Sequence, residues 1–134
     1  MDRVEHEKYG FSIESKKSFE QAVASVKKAL KKQGFGVLSE IDVAATLKQK
    51  LGVDRDAYLI LGACNPQFAH DALQVEEQLG LLLPCNVIVR RKDGKTLISA
   101  IDARAMMSVV DNKNLGGVAE EVNGRLQAAI GDAA

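Results

Sequence analysis

The two cysteines are the residues of this 134-residue chain with the widest range of possible chemistry, and each is followed by asparagine. Cys64 precedes Asn65 and Pro66, where an apolar run gives way to a helical pattern. The dipole and free amides of a helix N-terminus stabilise a thiolate, which favours a reactive or metal-binding thiol here. The alternative is a small buried residue at a tight turn, because free cysteine is among the most buried residue types.

Cys85 alternates with Val87 and Val89, which predicts a side chain that faces the core. The segment between the cysteines returns the chain toward the sheet, so the two sulfurs could lie close together. A disulfide would require Cα atoms within about 7 Å of each other. A soft metal ion bound by Cys64, Cys85 and His70 is a weaker alternative, because two thiols and one histidine fall short of a four-ligand zinc pattern. No other cofactor is expected.

Two asparagines and a proline complete the candidate ligand site. Asn65 is a strong helix N-cap and Pro66 suits the first helical position, which is a purely structural account of this turn. Alternatively, the side-chain amides of Asn65 and Asn86 orient a small ligand, and the free backbone N–H groups of the helix N-terminus can bind an anion. The candidate ligand-binding residues are Cys64, Asn65, Pro84, Cys85 and Asn86.

No catalytic constellation is identifiable in the chain. Ser108, Asp102 and His70 cannot be assembled into a triad from the sequence, and no glycine-rich phosphate loop or paired-carboxylate motif is present. Asp102 and Arg104 follow the last predicted strand and are candidates for a cleft rim or a dimer contact, with a solvated loop as the alternative. The sequence therefore leaves open whether the protein is an enzyme and favours one that is not.

The elements that must position these residues follow the order β-α-β-α-β-α-β-β-α. An Asp-Gly turn at residues 93–94 predicts a hairpin, which forces antiparallel pairing. The fold class is therefore α+β in two layers, a mostly antiparallel sheet with helices packed on one face. The predicted strands are residues 8–15, 36–41, 57–63, 85–91 and 96–101, and the predicted helices begin near residues 18, 42, 66 and 115.

Three further expectations concern individual segments. Residues 1–7 are predicted to be a flexible N-terminal tail, and residues 8–131 to be a single domain. The short second helix is predicted to bury Val43, Leu47 and Leu51. The strand at 57–63 is nearly all apolar, which predicts a strand that is central in the sheet or covered on both faces.

Composition excludes several classes of function. Eighteen basic and eighteen acidic residues cancel, so the chain lacks the basic excess of a phosphate-backbone binder. Only 4% of residues are aromatic, which leaves few platforms for stacking bases. No apolar run reaches the length of about 18 residues that spans a bilayer, and the charged N-terminus is not a signal peptide. We expect no nucleic-acid or membrane partner, and a cytoplasmic location.

Several short sequence segments together resemble a known family. They are Leu61–Pro66 and Gly80–Val87, with Glu40–Val43, Ala100–Asp102 and Val118–Val122, and they resemble the domain of unknown function family numbered 302. The likeness covers roughly residues 8 to 130 and departs at Glu77-Gln78, where members often carry a proline. The resemblance implies a two-layer α+β fold with a topology like that of the TATA-binding protein, often found as a dimer, and no established catalytic activity.

Two functional hypotheses follow. The first is a cytoplasmic, non-catalytic homodimeric module with a small-ligand or protein-partner site near Cys64–Pro66 and Pro84–Asn86. It requires a pocket bordered by these residues or an extensive apolar two-fold interface. The alternative is thiol-dependent redox chemistry or soft-metal binding at Cys64 and Cys85, which requires an accessible sulfur of low pKa.

Overall fold

Six strands and five helices build the computed structural model, which describes residues 4–134. The strands are β1 (Glu5–His6), β2 (Gly10–Ser15), β3 (Gly36–Asp42), β4 (Tyr58–Cys64), β5 (Cys85–Lys92) and β6 (Lys95–Ile101). The helices are α1 (Phe19–Lys32), α2 (Val43–Leu51), α3 (Pro66–Val75), α4 (Ala103–Ser108) and α5 (Gly116–Ala133), with 3₁₀ turns at Glu77–Leu82 and Lys113–Leu115. The strands form one sheet in the order β1-β2-β6-β5-β4-β3.

The predicted fold class is confirmed, because every pair of neighbouring strands is antiparallel and the chain mixes helices with the sheet. The structure adds β1 and α4 to the predicted order. β1 lies within the predicted tail, and its His6 ring lies 4.5 Å from the ring of Phe11 on β2. Residues 1–3 of that tail lie outside the described residues. The domain boundaries and the likeness to the TATA-binding-protein topology stay predictions.

Local sequence signals account for both ends of α1. The Ser18 hydroxyl accepts a hydrogen bond from the Gln21 N–H, and the Gln21 side chain accepts one from the Ser18 N–H, so the two residues form a capping box at the predicted helix start. Gly34 ends the helix with φ of +85°, and the Phe35 N–H donates to the Leu30 carbonyl at 2.9 Å. This Schellman arrangement turns Phe35 into the core.

The core lies between the helices and one face of the sheet. Alternate residues of β2, β5 and β6 point toward it, and α1 and α5 pack against each other over them. The buried side chains include Phe11, Ile13, Val87, Val89 and Ile98 from the sheet, and Val26, Leu30, Val122, Leu126 and Ile130 from the helices. Within residues 4–134, none of the helices combines the length and the apolar character that a membrane span requires.

The prediction of a buried face on α2 is wrong. Leu51 is 70% exposed, and Val43 and Leu47 are only half-buried. The predicted N-cap is nevertheless present, because Asp42 Oδ1 accepts a hydrogen bond from the Ala45 N–H at 2.8 Å. Capping and helical propensity do not depend on a tertiary partner, so the helix forms although its apolar stripe is left uncovered.

β3 forms one edge of the sheet and is irregular. Its register with β4 shifts between Val37 and Ser39, so that Leu38 bulges out and is 70% exposed. Farther along the strand, Glu40 forms an ion pair with Lys27 of α1 at 2.8 Å. This contact holds the edge strand against the helical layer.

Candidate functional site

Asn65 organises the turn between β4 and α3. Its Oδ1 accepts a hydrogen bond from the Phe68 N–H at 3.3 Å, and Pro66 is the first residue of the helix, as the structural account of this turn predicts. The Asn65 amide also lies over Gly34, where an added Cβ would be 2.9 Å from its Nδ2. The positive φ and this close approach both require glycine at position 34.

The last helix reaches the same turn through Arg125. A terminal nitrogen of its guanidinium donates to the Gln33 carbonyl at 3.1 Å, at the end of α1 where carbonyls lack helical partners. The guanidinium carbon lies 5.2 Å from the ring centre of Phe68, within the range of a cation–π contact. Three helices therefore meet around Asn65, which gives this residue a structural function.

The second cysteine-containing segment lies beside the first because β5 pairs with β4. In this pairing Gly62 is opposite Asn86, and Pro84 and Ser39 close over Gly62. A Cβ on Gly62 would lie 2.9 Å from Pro84 Cγ and would also collide with the Ser39 hydroxyl. Only glycine fits at position 62 without displacing the proline ring.

A small cavity of ≈ 30 Å³ lies between the two segments. Four of the five candidate residues line it, namely Cys64, Asn65, Pro84 and Cys85, and the remaining lining includes Phe35, Ala63, Phe68, Ala72, Leu83 and Val122. Pockets for small molecules usually measure about 300 to 1,000 Å³, whereas one water needs only about 10 to 15 Å³. This cavity therefore has room for a water-sized molecule. The fifth candidate, Asn86, is exposed and lies away from this cavity, on the other face of the sheet.

Both cysteines are free thiols, and burial keeps Cys85 in its neutral form. Burial and, to a smaller extent, the neighbouring Cys64 raise the pKa of the Cys85 thiol from 9.0 to about 11. A reactive or metal-binding thiol needs the opposite shift, because the thiolate is the nucleophile and the ligand. Cys85 is therefore a small core residue at neutral pH, and Cys64 is half-buried beside it.

The third member of the predicted metal set is not part of this cavity. His70 is exposed on α3 and does not line it. In the part of the chain that the structure describes, no group of three or more His, Cys, Asp or Glu residues is arranged to hold a metal ion. The structure brings Cys64 and Cys85 together but leaves His70 apart from them.

The other face of the sheet carries an apolar surface that the sequence interpretation missed. β4 is an interior strand, which agrees with the first of the two predicted alternatives, but only one of its faces is covered, because Tyr58 and Ile60 remain half-exposed. Ile60 pairs with Ile88 on one side and with Ile41 on the other. We call this surface the open sheet face; it consists of Ile41, Tyr58, Ile60, Asn86, Ile88, Arg90, Leu97, Ser99 and Ile101.

A signal for the open sheet face is present in the sequence. An antiparallel strand with one face in water alternates apolar and polar residues, but Leu59–Leu61 and Val87–Val89 are apolar at every position. The apolar run indicates that both faces of these strands are apolar. It cannot distinguish a covering element of the same chain from a surface left for a partner.

Asp102 and Arg104 lie on the helical side of the sheet, where they line a polar cleft of ≈ 620 Å³. His6 and Ser108 line the same cleft, and His70 does not. The Ser108 hydroxyl donates to the Ala105 carbonyl at 2.7 Å, a local helical contact rather than a contact with a base. The structure therefore places Asp102 and Arg104 at a cleft without assembling a catalytic triad.

The fold and these sites define a small α+β domain with an open antiparallel sheet and, among residues 4–134, no cluster of three metal-ligating side chains. Residues 11–133 match the family described as "Domain of unknown function DUF302", and the chain belongs to this family. The family resemblance seen in the sequence segments is thereby confirmed.

A solved structure supports the same assignment. It is described as "Crystal structure of uncharacterized conserved protein DUF302 from Bacillus stearothermophilus" and is similar to this chain with a TM-score of 0.90. The two are 26% identical, and the similarity covers 96% of this chain and 100% of that one. A comparison with curated proteins finds no match.

Proposed function

We propose that this domain is a non-catalytic binding module that works as a homodimer, and that the open sheet face is its two-fold interface. The observation that carries the proposal is the row of three isoleucines, Ile88, Ile60 and Ile41, on the face opposite the helices. A contiguous apolar surface of this kind usually marks an interaction site. Water contact with it is unfavourable, so a covering partner would stabilise the domain.

The size of the open sheet face suits a modest dimer interface. It extends across four strands, from β6 to β3, and along as many as three rows of side chains in a strand. With strands about 4.8 Å apart and rows about 6.7 Å apart, the patch is roughly 20 Å on a side. Two apposed copies would bury on the order of 1,000 Å² in total, which is near the lower limit for a specific interface.

The charges around the face favour a second copy as the occupant. Glu7 lies toward the β1–β2 side, where the Ser12 hydroxyl donates to it, while Glu14 on the same side is paired with Lys95. Arg90 lies on the β5 side, and the Arg55 guanidinium lies 4.9 Å above the ring of Tyr58 on β4. A two-fold axis parallel to the strands would place the acidic side of one copy over the basic side of the other. Such complementarity fixes register and speeds association.

The proposal keeps one part of the predicted ligand site and changes another. Asn86 belongs to the open sheet face beside Pro84, so the partner site predicted at Pro84–Asn86 becomes part of the interface. The cavity at Cys64 fits a water-sized molecule, so we propose a structural role for that end rather than a metabolite site. Among residues 4–134, no observation favours the thiol-dependent alternative. The neutral charge of the chain supports a protein partner rather than a nucleic acid, and we propose a cytoplasmic location.

Sedimentation velocity across a range of protein concentrations tests the proposal. The unchanged chain is expected to sediment as a species of twice the monomer mass at micromolar concentration. Ile60→Glu would place a charge in the centre of the open sheet face, where an unpaired buried charge opposes association. We expect this variant to remain monomeric at concentrations at least 100-fold higher than those at which the unchanged chain dimerises.

The matched control is Leu81→Glu, which puts the same charge at an apolar residue that is 82% exposed outside the open sheet face. Leu81→Glu is expected to dimerise like the unchanged chain. A chain that is monomeric at all concentrations would contradict the proposal, as would a dimer that Ile60→Glu leaves intact. Far-UV circular dichroism of both variants shows that a loss of dimer is not a loss of fold.

A further inference from the structure

We propose that the cleft between β1, α4 and α5 binds a small organic molecule that carries a protonated amino group, with Oδ2 of Asp102 as the counter-ion of that group. This cleft lies on the helical side of the sheet, because Phe11, whose ring faces the core, forms part of its wall. It is therefore on the opposite side of the sheet from the dimer interface proposed above. The two proposals rest on different residues and can fail independently.

The cleft has the size of a small-molecule site. Its volume of ≈ 620 Å³ falls within the range of about 300 to 1,000 Å³ that is usual for ligand pockets. Its walls come from three separate parts of the fold: His6 and Phe11 from the first strands, Arg104 and Ser108 from α4, and Gln127 from α5. The lining mixes one aromatic ring with hydrogen-bonding side chains, as ligand sites do.

Asp102 is held in one orientation by donors that all bind the same oxygen. Its Oδ1 accepts hydrogen bonds from the Arg104 N–H at 2.9 Å, the Ala105 N–H at 3.3 Å and the Asn123 side chain at 2.9 Å. Among the described residues, no hydrogen bond to its Oδ2 is present. One carboxylate oxygen therefore binds groups of the fold, and among residues 4–134 the other has no donor, so it can accept one from a ligand.

Asn123 makes this arrangement rigid. It is buried in α5, and its own Oδ1 accepts a hydrogen bond from the Ala103 N–H at 2.7 Å. The amide thus joins α5 to the segment that follows β6, across 20 residues of sequence. A charged group that its neighbours hold in place loses little entropy when a ligand binds, which favours affinity.

The charges that face the cleft favour a cation. Arg104 forms an ion pair with Glu120 at 2.7 Å, so these two charges compensate each other. The carboxylate of Asp102 then remains in the lining, with the His6 imidazole as its nearby titratable neighbour. Partial burial raises the pKa of Asp102, but hydrogen bonds from Asn123, Ala105 and Arg104 and the nearby His6 outweigh it and hold the pKa below 3.8. The carboxylate is therefore ionised at neutral pH.

A mid-helix glycine contributes a wall position without a side chain to the cleft. Gly124 lies within α5 in the cleft wall, and an added Cβ would meet nothing within 4 Å. Glycine inside a helix costs about 1 kcal/mol relative to alanine, and here no packing contact requires it. Free space at this position is what a ligand lying against α5 would need. The absence of a three-ligand metal group among residues 4–134 favours an organic ammonium over a metal ion.

Titration of the full chain with putrescine, followed by ¹H–¹⁵N NMR, tests the proposal. The expected result is saturable shifts of the Asn123 side-chain amide and the Gly124 backbone amide. The neutral analogue 1,4-butanediol, which carries hydroxyl groups in place of both amines, is expected to bind at least 10-fold more weakly. Asp102→Asn keeps a capping side chain but removes the charge, and we expect it to weaken putrescine binding at least 10-fold.

A pair of glycine variants separates blockage from loss of fold. Gly124→Leu fills the cleft and is expected to abolish the shifts, whereas Gly117→Leu, at another open position of α5, is expected to leave them unchanged. Both changes improve helix propensity, so neither should unfold the chain. The proposal would be overturned if putrescine shifted no cleft resonance, if butanediol bound equally well, or if Gly124→Leu left binding intact.

Discussion

Raising the pH across the titration of Cys85 should destabilise the folded domain. The pKa of this thiol is raised from 9.0 to about 11 by burial and by Cys64, so the native state holds the proton more tightly than the unfolded state does. A group with a raised native pKa contributes stability that is complete below its unfolded pKa and is lost as the pH rises toward its native pKa. The window is therefore pH 9 to 11. A difference of this size corresponds to about 3 kcal/mol of unfolding free energy.

Urea unfolding at pH 8 and at pH 11, with Cys85→Ala beside the unchanged chain, measures this contribution. Lysines and tyrosines titrate in both proteins, so the difference between the two free energies isolates the thiol. At pH 8 we expect Cys85→Ala to be less stable by about 1 kcal/mol, because it leaves a small void in the core. At pH 11 we expect the order to reverse, with Cys85→Ala more stable by about 1 kcal/mol, because the thiol is only half-ionised in the native state at that pH.

The reasoning would be refuted if the difference between the two proteins stayed constant within about 0.5 kcal/mol from pH 8 to pH 11. Alkylation measures the accessibility of the same thiol independently. With Cys64→Ala as the background, iodoacetate at pH 8 should leave Cys85 unmodified in the native state and modify it in urea. Rapid modification of the native thiol would show that it is accessible, contrary to its 7% exposure.

Two further predictions concern the turns around the cysteines. Gly62→Ala should destabilise the domain by about 1 to 2 kcal/mol, because the new Cβ would lie 2.9 Å from Pro84 Cγ. Adding Ser39→Ala removes the collision with the hydroxyl but not the one with Pro84, so a urea titration of the double variant should show partial recovery of the free energy of unfolding. A Gly62→Ala variant as stable as the unchanged chain would contradict the packing argument. Asn65→Ala should cost about 1 kcal/mol through loss of the α3 cap, while Asn65→Asp retains it. Gln67→Ala, an exposed change in the same turn, serves as the control, and an equal loss there would show that the cap is not responsible.

Features determined within a few residues of sequence were predictable. The capping box at Ser18, the glycine stop at Gly34, the Asn65 cap and the Asp-Gly hairpin each depend on contacts between near neighbours in the chain. Their energies do not change with the rest of the fold. The antiparallel α+β class followed from these elements, because the hairpin constrains the direction of its strands.

Features that depend on distant segments were not predictable from periodicity. The apolar stripe of α2 indicates a helix correctly, but whether Leu51 is buried depends on which surface lies opposite it. The sequence likewise suggested a single site for Cys64 and Asn86. In the structure Cys64 lines the small cavity, whereas Asn86 lies on the open face of the sheet. The hydrogen bond between Asp102 and Asn123 joins residues 21 positions apart, and no local sequence pattern indicates it.

The position of β2 in the sheet constrains how the chain folds during synthesis. Gly10 pairs with Ile101, so β2 cannot form its hydrogen bonds with β6 until β6 has been synthesised. At about 5 to 20 residues per second, translation of the intervening segment takes roughly 5 to 20 seconds. During this interval the β3–β4–β5 meander can form from its own neighbours, while Phe11 and Ile13 have no sheet to join. β2 therefore stays unpaired with β6 during this interval and is open to chaperones and to misassembly.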